Sequence, residues 1–174
     1  TTEIYTLSLH DALPISMEKH KINKAIDQIS MIVANVQMLF SNTNDFSGIG
    51  KAYSLGVFPS DMEKISETSA YNVFGGTTDM WWTNDIYDGG YNWGVNYYVN
   101  SHAACVALLS YNWGASFVSV GYYKLEVDPL WSLGGKSISE IEAACGYDND
   151  RFSRGEYVPI NFEFGYDAVR AAYF

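Results

Sequence analysis

The chain is short of cysteine, proline and positive charge, and each shortage closes off a class of function. Its 174 residues include 2 cysteines, 4 prolines, 3 histidines and 10 lysines and arginines. Against 20 acidic residues the basic ones leave a formal net charge of −10. Apart from Lys19, Lys21 and Lys24 they are scattered. A phosphate-binding groove needs concentrated Lys and Arg, so no nucleic-acid partner is expected. Two cysteines with no Cys-x-x-Cys pair cannot complete a four-ligand zinc site, and no metal or cofactor is expected. No apolar run reaches the roughly 18 residues of a membrane-spanning helix. The start of the chain does not have the charged-then-apolar form of a secretory signal. What the chain does have is 48% hydrophobic residues and only 17% charged ones, which excludes disorder and implies one folded domain.

The strongest pattern lies in residues 17–40. Ile22, Ile26, Ile29, Val33, Val36 and Phe40 recur at intervals of three and four, the period that keeps one stripe of an α-helix facing one partner. Ala25, Ile32 and Leu39 form a second row a heptad apart, so the apolar face is wide. Asn23, Lys24, Asp27, Gln28, Ser30, Asn35 and Gln37 fill most of the remaining surface, with Met31 and Met38 as flexible fillers. Such a helix would be about 36 Å long and needs something broad to lie on.

Residues 1–16 resemble the translation of a common sequencing adapter and are set aside as one would an expression scar. On that reading the native N-terminus is missing, with any leader or anchor it carried. Pro14 would also resist extension of the helix backwards. Beyond residue 40 the periodicity stops at Ser41-Asn42-Thr43-Asn44-Asp45. Residues 41–70 read as a connecting loop with a short helical piece, and residues 66–70 as a polar link. From residue 71 the chain turns to aromatic and β-branched segments punctuated by glycine. Strands are expected at 71–74, 77–82, 91–99, 116–123 and 158–164, with 124–127 extending the fourth. Residues 102–109 read as a short helix. A second is expected at 137–145, capped by Ser137 or Ser139, with Glu140 and Glu142 near its positive end and Gly146 stopping it. The expected class is α+β, a long helix across one face of an antiparallel sheet.

Cys105 and Cys145 sit in similar settings, His-Ala-Ala-Cys and Glu-Ala-Ala-Cys. They point to one disulfide and an oxidising compartment, with buried free thiols as the alternative. His102 is three residues before Cys105, the spacing of a thiolate and its base on one helix face. No orienting carboxylate or oxyanion loop accompanies it, and no catalytic residue is expected. Asp148-Asn149-Asp150 lacks the glycine and glutamate of a calcium loop and reads as a solvated acidic turn. Asp79, Asp85 and Asp88 fit turn positions better than an acid and base acting on a glycan. Trp81, Trp82, Tyr91, Trp93, Tyr111 and Trp113 exceed what one small core readily encloses, and they are the candidate surface contacts for a sugar or a neighbouring subunit.

Several short segments in order are similar to type IVb pilins, the class of toxin-coregulated and thin conjugative pili. They are Ile29-Ser30-Met31-Ile32-Val33-Ala34-Asn35-Val36, Ser54-Leu55-Gly56-Val57-Phe58-Pro59-Ser60-Asp61-Met62, Asn72-Val73-Phe74-Gly75-Gly76, Ala104-Cys105-Val106-Ala107-Leu108 with Trp113-Gly114, and residues 138–145. The resemblance implies a pilin-like fold and a cysteine pair pinning the C-terminal region to the sheet. It further implies membrane anchoring before assembly, stacking of copies of the chain by pilus assembly machinery into an extracellular filament, and contact with host or recipient-cell glycans. The apolar first half of the family's helix and its cleavage site have no counterpart here, and residues 80–98 are the weakest part of the match. A secreted carbohydrate-binding or adhesin module is the alternative.

Overall fold

A computed structural model describes residues 9–43, 45–83, 92–114, 117–121 and 137–165. The expectations for Tyr91, Asp85, Asp88, residues 122–127 and the last nine residues fall outside these. The described part is α+β. A long helix α1 (Leu9–Leu39) precedes a five-stranded antiparallel sheet formed by β1 (Ser69–Tyr71), β2 (Thr77–Thr83), β3 (Asn92–Val99), β4 (Phe117–Val120) and β5 (Val158–Gly165). Shorter helices α2 (His102–Leu109), α3 (Ile138–Gly146) and α4 (Asn149–Ser153) lie in the second half, and a 3-10 helix spans Ser47–Lys51. Among the described residues no helix is long and apolar enough to cross a membrane.

The strand order is β1-β2-β3-β5-β4. The last strand therefore enters the sheet between β3 and β4, pairing Trp93 with Phe164 on one side and Val118 with Phe162 on the other. Because side chains alternate along a strand, this register sorts the residues onto two faces. Met80, Val95, Tyr97, Val99, Ile160, Phe162 and Phe164 point toward α1 and join one core cluster. Trp81, Gly94, Asn96, Asn161 and Glu163 point the other way.

α1 buries Ala25, Ile29, Ile32, Val33 and Val36 in that core, with Ile22, Ile26 and Phe40 half-buried at its margins. Three details differ from the sequence expectation. The helix runs on through Pro14, where the missing N–H costs one turn's bond without ending the helix. Leu39, expected on the buried face, is exposed because it is the last helical residue. Gln28, expected on the polar side, is only 2% exposed, because residue 28 lies on the same face as Ala25 and Ile32.

The buried amide makes three hydrogen bonds. Its Nε2 donates to Asp61 Oδ2 at 3.0 Å, and its Oε1 accepts from Tyr97 Oη at 2.6 Å and from the Val73 N–H at 3.3 Å. Lys24 Nζ lies 2.9 Å from the same Asp61 oxygen and, with Gln28, holds that carboxyl below its ordinary pKa. Burial raises the Tyr97 hydroxyl pKa, so it stays a donor. Two turns further on, Asn35 Nδ2 donates to the carbonyls of Gly56 and Val57. These bonds fix the rotation and height of α1 on the sheet, which apolar packing alone would leave free to slide.

The first strand also differs. It is Ser69–Tyr71 rather than 71–74, so the segment expected as a polar link supplies most of it. Residues 72–76 form the turn into β2, with the Asn72 N–H bonded to Gly76 O and Gly75 at φ 82°, a conformation that favours glycine. Asn72 holds that turn to β3 by donating to Thr77 O and Tyr98 O.

Candidate functional site

Two regions concentrate the chemistry that the sequence singled out. The first is the pair α2 and α3. Ser101 caps α2 by accepting from the Ala104 N–H, and its hydroxyl donates to Glu18 of α1. Ser137 and Glu140 form a reciprocal capping box on α3, so Ser137 rather than Ser139 is the cap. The helices are joined by a disulfide between Cys105 and Cys145, whose α-carbons are 5.9 Å apart and whose side chains are fully buried. Cys105 therefore offers no thiolate for His102 to activate. His102 instead stands edge-on to Phe152, its Nε2 3.5 Å from Glu142 O.

In the acidic segment after α3, Asn149 and Asp150 are exposed as expected, but Asp148 is not. Asp148 is buried, its Oδ1 facing Arg151 Nη1 at 3.4 Å, and residues 149–153 form α4. A carboxylate with an arginine one turn later on the same side tolerates burial that a lone Asp would not. Among the described residues no three His, Cys, Asp or Glu side chains converge as a metal site.

The second region is the sheet face away from α1. The five described aromatics of the six proposed as surface contacts do not meet there. Trp93 is buried and stacks on Phe164 at 4.4 Å, and Trp113 is buried against Phe162, donating its Nε1 to Leu108 O at 2.8 Å. Both leave the set of surface contacts, because Trp93 lies on the inward face of β3 and Trp113, in the segment after α2, packs into the core. Trp82 projects on the α1 side and covers Gly50 of the 3-10 helix. Tyr111 is 46% exposed beside Trp113 at the end of α2. Of the five described, only Trp81 lies on the outer face.

Around Trp81 the outer face is polar. The pairing sets Ser69, Asp79, Asn96, Asn161 and Ser119 side by side across all five strands. At the ordinary strand spacing that row is about 19 Å long. Asp79 is occupied, accepting from Ser69 and from Thr77. The next row holds Trp81, Gly94 and Glu163. The indole lies against the Gly94 backbone, where a β-carbon would come 2.3 Å from its Cε2. Its Nε1 donates to Asn161 Oδ1 at 3.3 Å. Beyond it, Asn92 donates to Glu163 Oε1 at 3.1 Å. The sequence signal for this face is the alternation of Asn92, Gly94 and Asn96 with apolar residues, and of Asn161 and Glu163 likewise. It does not say that the two strands are neighbours.

Compared with protein-family models, with curated proteins and with solved structures, the chain finds no match. Its function is therefore argued from its own residues.

Proposed function

We propose that the chain is a structural subunit of an extracellular filament of the type IVb pilus kind, assembled from copies of itself for adhesion, aggregation or conjugation. The observation that carries this reading is that α1 buries one apolar face on the sheet and still leaves large apolar side chains in solvent. Met17, Lys24, Met31 and Met38 share one heptad position, with Met31 49% and Met38 69% exposed and Ala34 exposed between them. Apolar side chains repeating along one solvent-facing helix line are the ingredient of helix-to-helix packing between copies. The internal bonds of Gln28 and Asn35 support the same reading, since a subunit that is stacked needs its helix held rigidly on its head. The disulfide adds a brace suited to life outside the cell.

The test is made on cells carrying the complete gene. Gold-labelled antibody against this chain should decorate surface filaments in electron micrographs. Met31→Glu with Met38→Glu should abolish them while changing the stability of the isolated chain by no more than about 0.5 kcal/mol. Label on no filament, or filaments that survive the double substitution, would overturn the proposal.

A further inference from the structure

On the outer sheet face, one buried acceptor lacks a partner. Asn92 is only 5% exposed and its Oδ1 receives no hydrogen bond, while its Nδ2 is committed to Glu163. Exchanging the two amide atoms would not help, because it would set the carbonyl oxygen against a carboxylate. That atom is closed to solvent, so it is the accessible polar groups beside it that a ligand could meet.

The surroundings define what kind of ligand. Trp81 is half-buried and is held in place from two sides, by contact with Gly94 and by its bond to Asn161. A fixed indole with part of its surface in solvent is a platform for an apolar ring face. In the adjoining row the side chains of Asn96 and Ser119 make no hydrogen bond among the described residues, and Asn161 still has its Nδ2 donors. The charges on this face are the carboxylates of Asp79 and Glu163, with no Lys or Arg at any of the described outward positions of the five strands. Carboxylates and amide oxygens accept hydrogen bonds from hydroxyl groups and repel phosphate, sulfate and uronate.

We propose that this strip, with Trp81 as the stacking platform and Asn96, Asn161 and Ser119 as the hydrogen-bonding groups, binds a neutral oligosaccharide. A pyranose has the matching anatomy, a C–H face for the indole and a rim of hydroxyls for the amides. The pattern of an aromatic wall and a few fixed polar groups is that of small-ligand sites in general. The site belongs to the isolated chain and does not depend on filament assembly.

The experiment uses the isolated chain and two oligosaccharide panels at millimolar concentration. One is neutral (N-acetyllactosamine, maltotetraose, mannotetraose) and the other holds sulfated and sialylated counterparts. The readouts are the Trp81 indole N–H resonance and titration calorimetry. At least one neutral sugar should shift that resonance saturably and in preference to its anionic counterparts. Asn96→Ala with Ser119→Ala should weaken it by about tenfold or more, the usual loss when hydrogen bonds that orient a ligand are removed. These two side chains hold nothing else, so the variant should keep its fold, which its amide spectrum will report. Trp81→Ala should abolish binding. Silence of the indole toward every neutral sugar, preference for the anionic panel, or unchanged affinity in the Asn96/Ser119 variant would each overturn the proposal.

Discussion

The two faces of the sheet use the same strands for opposite purposes. On β5, Ile160, Phe162 and Phe164 are buried under α1, and Asn161 between them is half-buried on the outside. β3 repeats the division, with Val95, Tyr97 and Val99 inward and Asn96 outward. Stability is therefore concentrated on one side of a layer only a few ångströms thick, and recognition chemistry on the other. Adjacent residues in the chain should respond to mutation as if they belonged to different proteins.

The largest effect expected is at Phe162. Truncation to alanine removes a fully buried ring and leaves a cavity between β3 and β4, a loss of about 3–5 kcal/mol by denaturant unfolding. Asn96→Ala, one strand away and on the other side, should stay within about 0.5 kcal/mol. Equal losses at both would break the contrast between the faces.

Next comes the disulfide, which closes a loop with a sequence separation of 40. Replacing both cysteines by alanine should cost about 3–4 kcal/mol in the chain-entropy account. Mass measurement after alkylation should find no modified thiol before reduction and two after it.

Gln28 sharpens the comparison, because it is the polar exception on the apolar side. Gln28→Leu leaves the Tyr97 hydroxyl and the Val73 N–H without their acceptor, at a cost of about 1–3 kcal/mol. Adding Tyr97→Phe should recover part of that loss, since removing both partners of a buried hydrogen bond is cheaper than removing one. A double variant as unstable as the sum of the singles would mean that the pair does not interact.

The smallest effect is electrostatic. Lys64 lowers the Glu67 pKa from 4.5 to about 2, and Lys24 with Gln28 lowers that of Asp61 from 3.8. A depressed carboxyl pKa stabilises the fold above the unfolded value and ceases to do so as pH falls through the folded one. The melting temperature should therefore decline from about pH 4.5 toward 2, more steeply in the wild type than in Asp61→Asn with Glu67→Gln. Both pairs are exposed and screened by solvent, so at neutral pH the double variant should melt close to the wild type.

Local pattern carried much of this structure. The period of residues 22–40 announced α1 and its buried stripe, and Ser137 with Glu140 announced the start of α3, because helices are decided by contacts within a few residues. Alternation announced β5 and its inward residues, and aromatic and β-branched content announced β3. The turn at Asn72 was misread as strand, because Val73 and Phe74 have strand-like side chains while their backbone is held by a side-chain amide. The candidate site was far less legible. Six aromatics drew attention for their bulk, yet Trp93 and Trp113 proved to be core, and the residues gathered round Trp81 are small amides with no individual signal.

The sequence by itself determined α1, α2 and α3, the segments of β2, β3 and β5, and the pairing potential of its only two cysteines, since each follows from near neighbours along the chain. The tertiary structure alone decided that β5 enters between β3 and β4, and with it every cross-strand row on both faces. Ordering strands far apart in sequence is a competition among alternative closures of long loops, settled by how well whole faces pack, and no short window of residues records the outcome.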